Sequence, residues 1–179
     1  MSVIAFEITD NKIQVAGDGR VITNGDKIEY EHFQKVIKVS DSLIIGVTGL
    51  GDTTGIFKKF VSANLHTFET IDNITDFLPM FKRFKEYLID NYGFAEETLK
   101  ELGGFLVANK AFHGVFYYDE YLTPYCVYHE RSKAAFGSTG IYTSALLDCG
   151  VGLEEAIKKS AEKYTSINGN VTLVEIRRY

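Results

Sequence analysis

Ser2-Val3-Ile4-Ala5-Phe6-Glu7-Ile8, Thr9-Asp10-Asn11, then Lys12-Ile13-Gln14-Val15-Ala16-Gly17-Asp18-Gly19-Arg20: this opening stretch decides how the chain is read. Residues 3–8 and 12–17 alternate weakly and are rich in β-branched types, and the polar triplet between them reads as a turn. The pair predicts a hairpin whose first strand begins at the chain's opening. Chain ends fray unless a sheet ties them down. A strand placed there points to the end itself as the reactive group. With Met1 removed, Ser2 carries a hydroxyl and a free α-amine on one residue. That combination joins a nucleophile to its own base. A retained Met1 would acylate the amine and remove the base; the small Ser2 side chain favours removal.

Beyond the hairpin, Asn24-Gly25-Asp26 reads as a second hairpin turn. Residues 33–39 predict a strand, and Ser40-Asp41-Ser42 turns the chain into 43–48. That run is continuously apolar, as in a strand covered on both faces. Gly49-Leu50-Gly51-Asp52 breaks it, and Asp52 or Thr53 is placed to cap a helix. Ile56, Phe57, Phe60, Val61, Leu65 and Phe68 share one helical face. A second helix starts after Asn73 or Thr75, with Phe77, Phe81, Phe84 and Leu88 on one side, and Asn91-Tyr92-Gly93 stops it. Pro79 belongs near its first turn or kinks it. Three strands follow at 105–109, 112–118 and 122–129, then helices at 141–149 and 153–164, then a strand at 171–176. Blocks of strands and blocks of helices argue against a doubly wound parallel sheet. They predict an α+β protein: two mainly antiparallel sheets face to face, with a helix pair outside each.

The length of 179 residues fits a single domain over 1–179, and 45% hydrophobic residues suffice for one core. The net charge of −5 gives no electrostatic footprint for nucleic acid, and no basic run adds one. The sequence contains no apolar run of about 18 residues and no basic start leading into an apolar stretch. The expectation is a cytoplasmic protein with neither membrane nor nucleic acid as partner. Cys126 and Cys149 lack metal-like spacing and are expected to be reduced, structural thiols. His32, His66, His113 and His129 are scattered, and no Gly-rich phosphate loop opens a helix in a βαβ unit. Neither a metal nor a cofactor is expected.

Several features in order resemble the proteasome β-subunit and HslV-like family of the N-terminal-nucleophile (Ntn) hydrolase superfamily. They are Ser2, Ala16-Gly17-Asp18-Gly19, Lys35-Val36, Gly46-Val47-Thr48-Gly49 with Asp52 opening a helix, Gly137-Ser138-Thr139-Gly140, and the closing helix and strand. The resemblance spans nearly the whole chain. It implies a four-layer α-β-β-α sandwich, the Ntn-hydrolase fold. It also implies a homo-oligomeric ring of hexamer or heptamer type, stacked as a double ring around a peptidase chamber. A partner AAA+ ATPase unfoldase would feed unfolded polypeptide substrates inside.

Carried over residue by residue, the resemblance makes Ser2 the nucleophile, where the family usually has Thr. It makes Lys35 the lysine that stabilises developing charge beside the hydroxyl, and Asp18 the acid that keeps that lysine charged. Gly49 supplies the backbone N–H of the oxyanion hole. Ser138 lies near the terminal amine, or serves as N-cap of the third helix. The family's acid before the last strand has no Asp here; Glu162 is a loose candidate, and Ser166 could be the serine that accompanies it. Two other readings stand beside the peptidase: a catalytically inactive ring or scaffold protein, and an amidohydrolase of the same superfamily acting on a small amide.

Overall fold

The computed structural model describes residues 2–23 and 27–179. Met1 and the predicted turn Asn24-Gly25-Asp26 lie outside the described residues. In chain order come β1 (Val3–Ile8), β2 (Lys12–Asp18), β3 (Val21–Thr23), β4 (Lys27–Tyr30), β5 (Val36–Lys38) and β6 (Leu43–Val47). Helices α1 (Gly51–Ala63), α2 (Leu65–Thr70), α3 (Ile74–Tyr92) and α4 (Glu96–Lys100) follow. Then come β7 (Phe105–Asn109), β8 (His113–Tyr118), β9 (Pro124–Val127), β10 (Lys133–Gly137), α5 (Gly140–Asp148), α6 (Leu153–Lys163) and β11 (Val171–Arg177).

One sheet runs β10-β1-β2-β11 and the other β5-β6-β7-β8-β9, with β3 and β4 as a separate pair. Every pairing among these strands is antiparallel. Alternation along each strand sorts its side chains between layers. Ile4 and Phe6 of β1 meet Ile44 of β6 and Leu106 and Ala108 of β7 between the sheets. Val3 and Ala5 turn the other way, onto α5 and α6 beside Ala16, Ala135 and Ala156. Leu43, Ile45 and Val47 of β6 pack under α1 and α3 with Phe57, Phe81 and Phe84. Three apolar interfaces therefore separate four layers, α-β-β-α, and β6 is buried on both faces as its unbroken apolar run predicts.

The apolar helix faces explain why these helices sit where they do. Phe57 meets Phe84 and Phe105 edge-on at centroid distances of 4.9 and 5.0 Å, and Phe81 stacks on Phe116 at 4.1 Å. Asn73 caps α3 by accepting the Asp76 N–H at 3.0 Å, and Gly93 ends it at φ +66°.

Several boundaries differ from the sequence reading. The stretch 33–39 is extended only at Val36–Lys38, because Phe33 donates its N–H to Gly19 at 2.8 Å and so pulls residues 33–35 toward β2. Residues 51–70 form two helices, interrupted at Asn64. Neither Asp52 nor Thr53 caps α1 by side chain. Leu50 holds the N-cap position, and the Thr53 hydroxyl donates back to its carbonyl at 2.5 Å. Pro79 lies in the second turn of α3 rather than the first. α4 and β10 are additions to the predicted elements. β10 escapes notice because Lys-Ala-Ala-Phe-Gly is short and poor in β-branched residues, yet it pairs along the whole of β1 but for its last residue. No helix among the described residues is long and apolar enough to cross a membrane.

Candidate active site

The site grows from the β1–β2 register. Ile4 stands opposite Gly17, so Val3 falls beside Asp18, and its N–H donates to Asp18 Oδ1 at 2.8 Å. The next segment to arrive is Lys35-Val36 from the second sheet. Gly17 admits it: a Cβ there would lie 2.7 Å from Val36 Cγ2. Lys35 Nζ then donates to both Asp18 oxygens at 2.9 Å, and to the carbonyl oxygen of Arg20. The Arg20 N–H closes the loop on Asp18 Oδ2 at 3.0 Å.

The two charges are almost dry: the Lys35 side chain is 4% exposed and that of Asp18 0%. Burial pushes the Lys35 ammonium below its ordinary value. The charge and hydrogen bonds of Asp18 pull it back up, and the nearby Arg20 charge adds a smaller push down. The net direction is down, so the ammonium gives up its proton more readily than an exposed lysine does.

Ser2 is buried at 3% exposure. Its carbonyl accepts the Ser138 N–H at 2.8 Å and the Ser138 hydroxyl at 3.2 Å. Ser138 is thus turned onto Ser2 rather than capping α5, whose N-cap is Thr139. The approach depends on Gly137, which has φ +102° and whose added Cβ would lie 2.1 Å from the Ser2 carbonyl oxygen. Gly49 is held in the same unusual region at φ +101°, and no hydrogen bond among the described residues takes up its N–H. A cleft of about 760 Å³ is lined by Ser2, Lys35 and Gly49, together with Phe33, Val47 and Leu50. Asp18 sits behind Lys35 and Ser138 behind Ser2. The hydrogen bonds of Lys35 go to Asp18 and Arg20, and none goes to the Ser2 hydroxyl.

The stretch before the last strand differs from expectation. Glu162 is exposed and Ser166 half-buried, and neither hydrogen-bonds into this corner. Asn168 does so instead. Its Oδ1 accepts the Gly19 N–H at 3.0 Å, and its Nδ2 donates to the Glu31 carbonyl at 2.8 Å and to the Glu31 carboxylate. Arg20 and Glu31 complete the group, with Arg20 Nη2 3.1 Å from Glu31 Oε1. Sequence reasoning missed all three. The available signal was Asn168-Gly169-Asn170, since Asn side chains at turns bond neighbouring backbone. Cys126 is half-buried and Cys149 exposed, and both are free. Among the described residues no three His, Cys, Asp or Glu side chains gather as a metal site.

No protein-family model matches the chain, and no curated protein matches it by sequence. Solved structures do. Thiobacillus denitrificans BPH superposes with a TM-score of 0.71 at 16% identity, covering 99% of this chain and 98% of that one. BPH in complex with epoxomicin gives 0.72 at 16% identity, covering 99% of each. Eukaryotic HslV from Trypanosoma brucei gives 0.69 at 12% identity, again over 99% of each. The class defined is the four-layer Ntn-hydrolase fold. Within that class the chain resembles HslV and BPH from end to end, at the level of fold.

Proposed function

We propose that the chain is the N-terminal-nucleophile peptidase subunit of a self-compartmentalising protease, with Ser2 as nucleophile once Met1 is removed. The observation that carries this reading is the cleft: Ser2, Lys35 and Gly49 line it together, and Asp18 holds Lys35 from behind. An α-amine has an ordinary pKa of about 7.7–8.0 and accepts a proton near neutral pH. In the proposed reaction the Ser2 amine takes the hydroxyl proton as Oγ attacks a peptide carbonyl. The oxyanion forms within reach of the Gly49 N–H and the Lys35 ammonium. The amine's proton passes to the departing peptide amine, the C–N bond breaks, and an ester remains on Ser2. Water, deprotonated by the same amine, cleaves the ester and restores the hydroxyl. Ser138 orients the Ser2 backbone through its carbonyl.

The proposed assembly is a homo-oligomeric ring of hexamer or heptamer type, stacked as a double ring, each subunit a single domain over 1–179. It works in the cytoplasm, with an AAA+ ATPase supplying unfolded polypeptide. The likeness in fold to HslV supports this.

The test uses protein from its native host. Intact mass is expected to lack Met1, and hydrolysis of a fluorogenic peptide is expected to fall by at least about 10³-fold in Ser2→Ala. Epoxomicin, seen in complex with BPH, is expected to block it. A mass retaining Met1, or equal hydrolysis in Ser2→Ala, sinks the catalytic reading. A second reading, an inactive ring or scaffold protein, is favoured by one observation: Lys35 makes no hydrogen bond to the Ser2 hydroxyl. Particle symmetry by microscopy tests the ring in either case, and a persistent monomer at micromolar concentration counts against it.

A further inference from the structure

Glu31 is not among the residues lining the cleft, yet it anchors the backbone on which Lys35 rests. Two of the acceptors of Lys35 are the oxygens of Asp18; the third is the carbonyl of Arg20. The residues from Asp18 to Arg20 are fixed from outside by one cluster. Arg20 grips the Glu31 carboxylate through Nη2 at 3.1 Å and Nε at 3.4 Å, and donates to the Thr165 carbonyl at 2.5 Å. Asn168 bridges the Gly19 N–H to Glu31, and Asn170 donates a further bond to the Glu31 carbonyl at 3.0 Å. Residues 165–170, remote in sequence, are thus tied to the end of β2 directly, at Gly19 and Arg20, and a second time through Glu31.

We propose that Glu31 is a positioning residue: with Asn168 it clamps Arg20, so that the Arg20 carbonyl stays on the Lys35 ammonium while the Arg20 charge is offset. The charges meeting here are few. Lys35 faces Asp18 from β2, Arg20 from the turn after it and, once Met1 is removed, the Ser2 α-amine that lines the same cleft; Glu31 faces Arg20 and its neighbour His32. The hydrogen bond from Asn168 and then Arg20 hold the Glu31 carboxyl below its ordinary value, so it is ionised at neutral pH. Without that negative charge, Arg20 repels the Lys35 ammonium uncompensated. The consequence for catalysis rests on the peptidase reading above; the effect on Lys35 itself does not.

The experiment is trace acetylation of the intact protein with acetic anhydride across a pH series, with Lys35 quantified by mass spectrometry. Glu31→Gln keeps the shape and removes the charge. It is expected to move the Lys35 labelling midpoint down by about half a pH unit, roughly threefold more acetylation at a fixed pH. Glu31→Gln/Arg20→Gln removes both charges and is expected to return the midpoint to the parent value or above it, which a merely structural role would not do. If Glu31→Gln does not fold, Arg20→Gln alone is expected to raise the midpoint. Superimposed Lys35 curves for parent and Glu31→Gln overturn the proposal, even if the protein cleaves peptides. A shifted curve in a protein that cleaves no peptide upholds the clamp and removes the peptidase reading instead. Where hydrolysis is measurable, the alkaline limb of its pH profile is expected to follow the labelling curve.

Discussion

Two regions of this molecule are equally dry and are built by opposite rules. Under α1 and α3, Phe57, Phe68, Phe81, Phe84 and Phe105 are all but sealed from solvent, and nothing among them carries charge. At the corner where β1, β2 and β5 meet, Asp18 and Lys35 are sealed nearly as well, and both are charged. In the first region burial itself stabilises, by about 1.5–3 kcal/mol for each large apolar side chain. In the second, burial costs energy. The ion pair recovers that cost only through good geometry and hydrogen bonds to every remaining atom. The corner has them: Asp18 receives Val3 and Arg20 N–H groups besides Lys35, and Lys35 reaches the Arg20 carbonyl. The corner is therefore a poor way to hold a fold together and a good way to keep a charged group beside Ser2.

A double-mutant cycle on the pair tests that contrast hardest. Lys35→Met leaves the Asp18 carboxylate buried beside two N–H donors but no cation, and is expected to cost about 3–5 kcal/mol of stability. Asp18→Asn/Lys35→Met removes both charges and keeps an acceptor for the Val3 N–H. It leaves the Arg20 N–H without its acceptor, and is expected to recover most, not all, of the single variant's loss. Peptide hydrolysis should be lost in both, by about 10³-fold or more. Urea melts and a peptide assay on the same samples give the answer. A double variant as unstable as the single one would mean that the corner holds the fold after all.

The matching change in the aromatic layer is Phe57→Ala. The ring touches Phe68, Phe81, Phe84 and Phe105 at once, so its removal leaves a cavity that those rings cannot fill without moving. The expected loss is about 3–5 kcal/mol. Hydrolysis per folded molecule should be unchanged. A Phe57→Ala protein that melts normally but loses activity would break the division of labour between the two regions.

The division also explains what could be read in advance. The aromatic layer is written in periodicity: Phe77, Phe81, Phe84 and Leu88 recur at helical spacing, and that spacing survives as the buried face of α3. Antiparallel sheets and their covering helices follow from blocks of such patterns. The corner has no period. Asp18 and Lys35 are legible as a pair only through the family resemblance; locally Asp18 is no more than the end of a strand in a Gly-Asp-Gly sequence. Of their partners, Arg20 follows Asp18 in the same stretch, but Glu31 and Asn168 come from elsewhere in the chain, and nothing local marks them as neighbours. β10 was missed for the reverse reason. Ala134 and Ala135 are weak strand formers, and they are extended because β1 offers them a ladder, a preference imposed by tertiary structure. Gly137, which ends β10, could be quoted as part of a motif, but its reason for being glycine lies in the Ser2 carbonyl oxygen.

His113 is a half-buried titratable group without a counter-charge among the described residues. It packs against Phe6 at a centroid distance of 5.6 Å, and its Nε2 lies 2.7 Å from the Arg131 carbonyl. Burial pushes its pKa below the ordinary 6.5; the bond to Arg131 opposes this, and the charges of Arg178 and His129 add to it. Asp18 offsets the burial of Lys35, but among the described residues no carboxylate does the same for His113. The native state therefore holds the ring neutral in a range where the unfolded chain already protonates it. Between the lowered native value and 6.5 the unfolded state binds more protons, so stability falls as pH is lowered through this window. Carboxylates held low in the native state, such as Glu69, begin to contribute only nearer their ordinary value of 4.5, so the two effects set in at different pH. His113→Gln keeps a donor for the Arg131 carbonyl and cannot take up a proton. Between pH 6.5 and the onset of the carboxylate window its stability should decline less than that of the parent, as measured by urea melts at half-unit intervals. A parent curve already flat there would show that the ring is charged in the folded protein, and that this end of the sandwich tolerates an unpaired cation which the Lys35 corner does not.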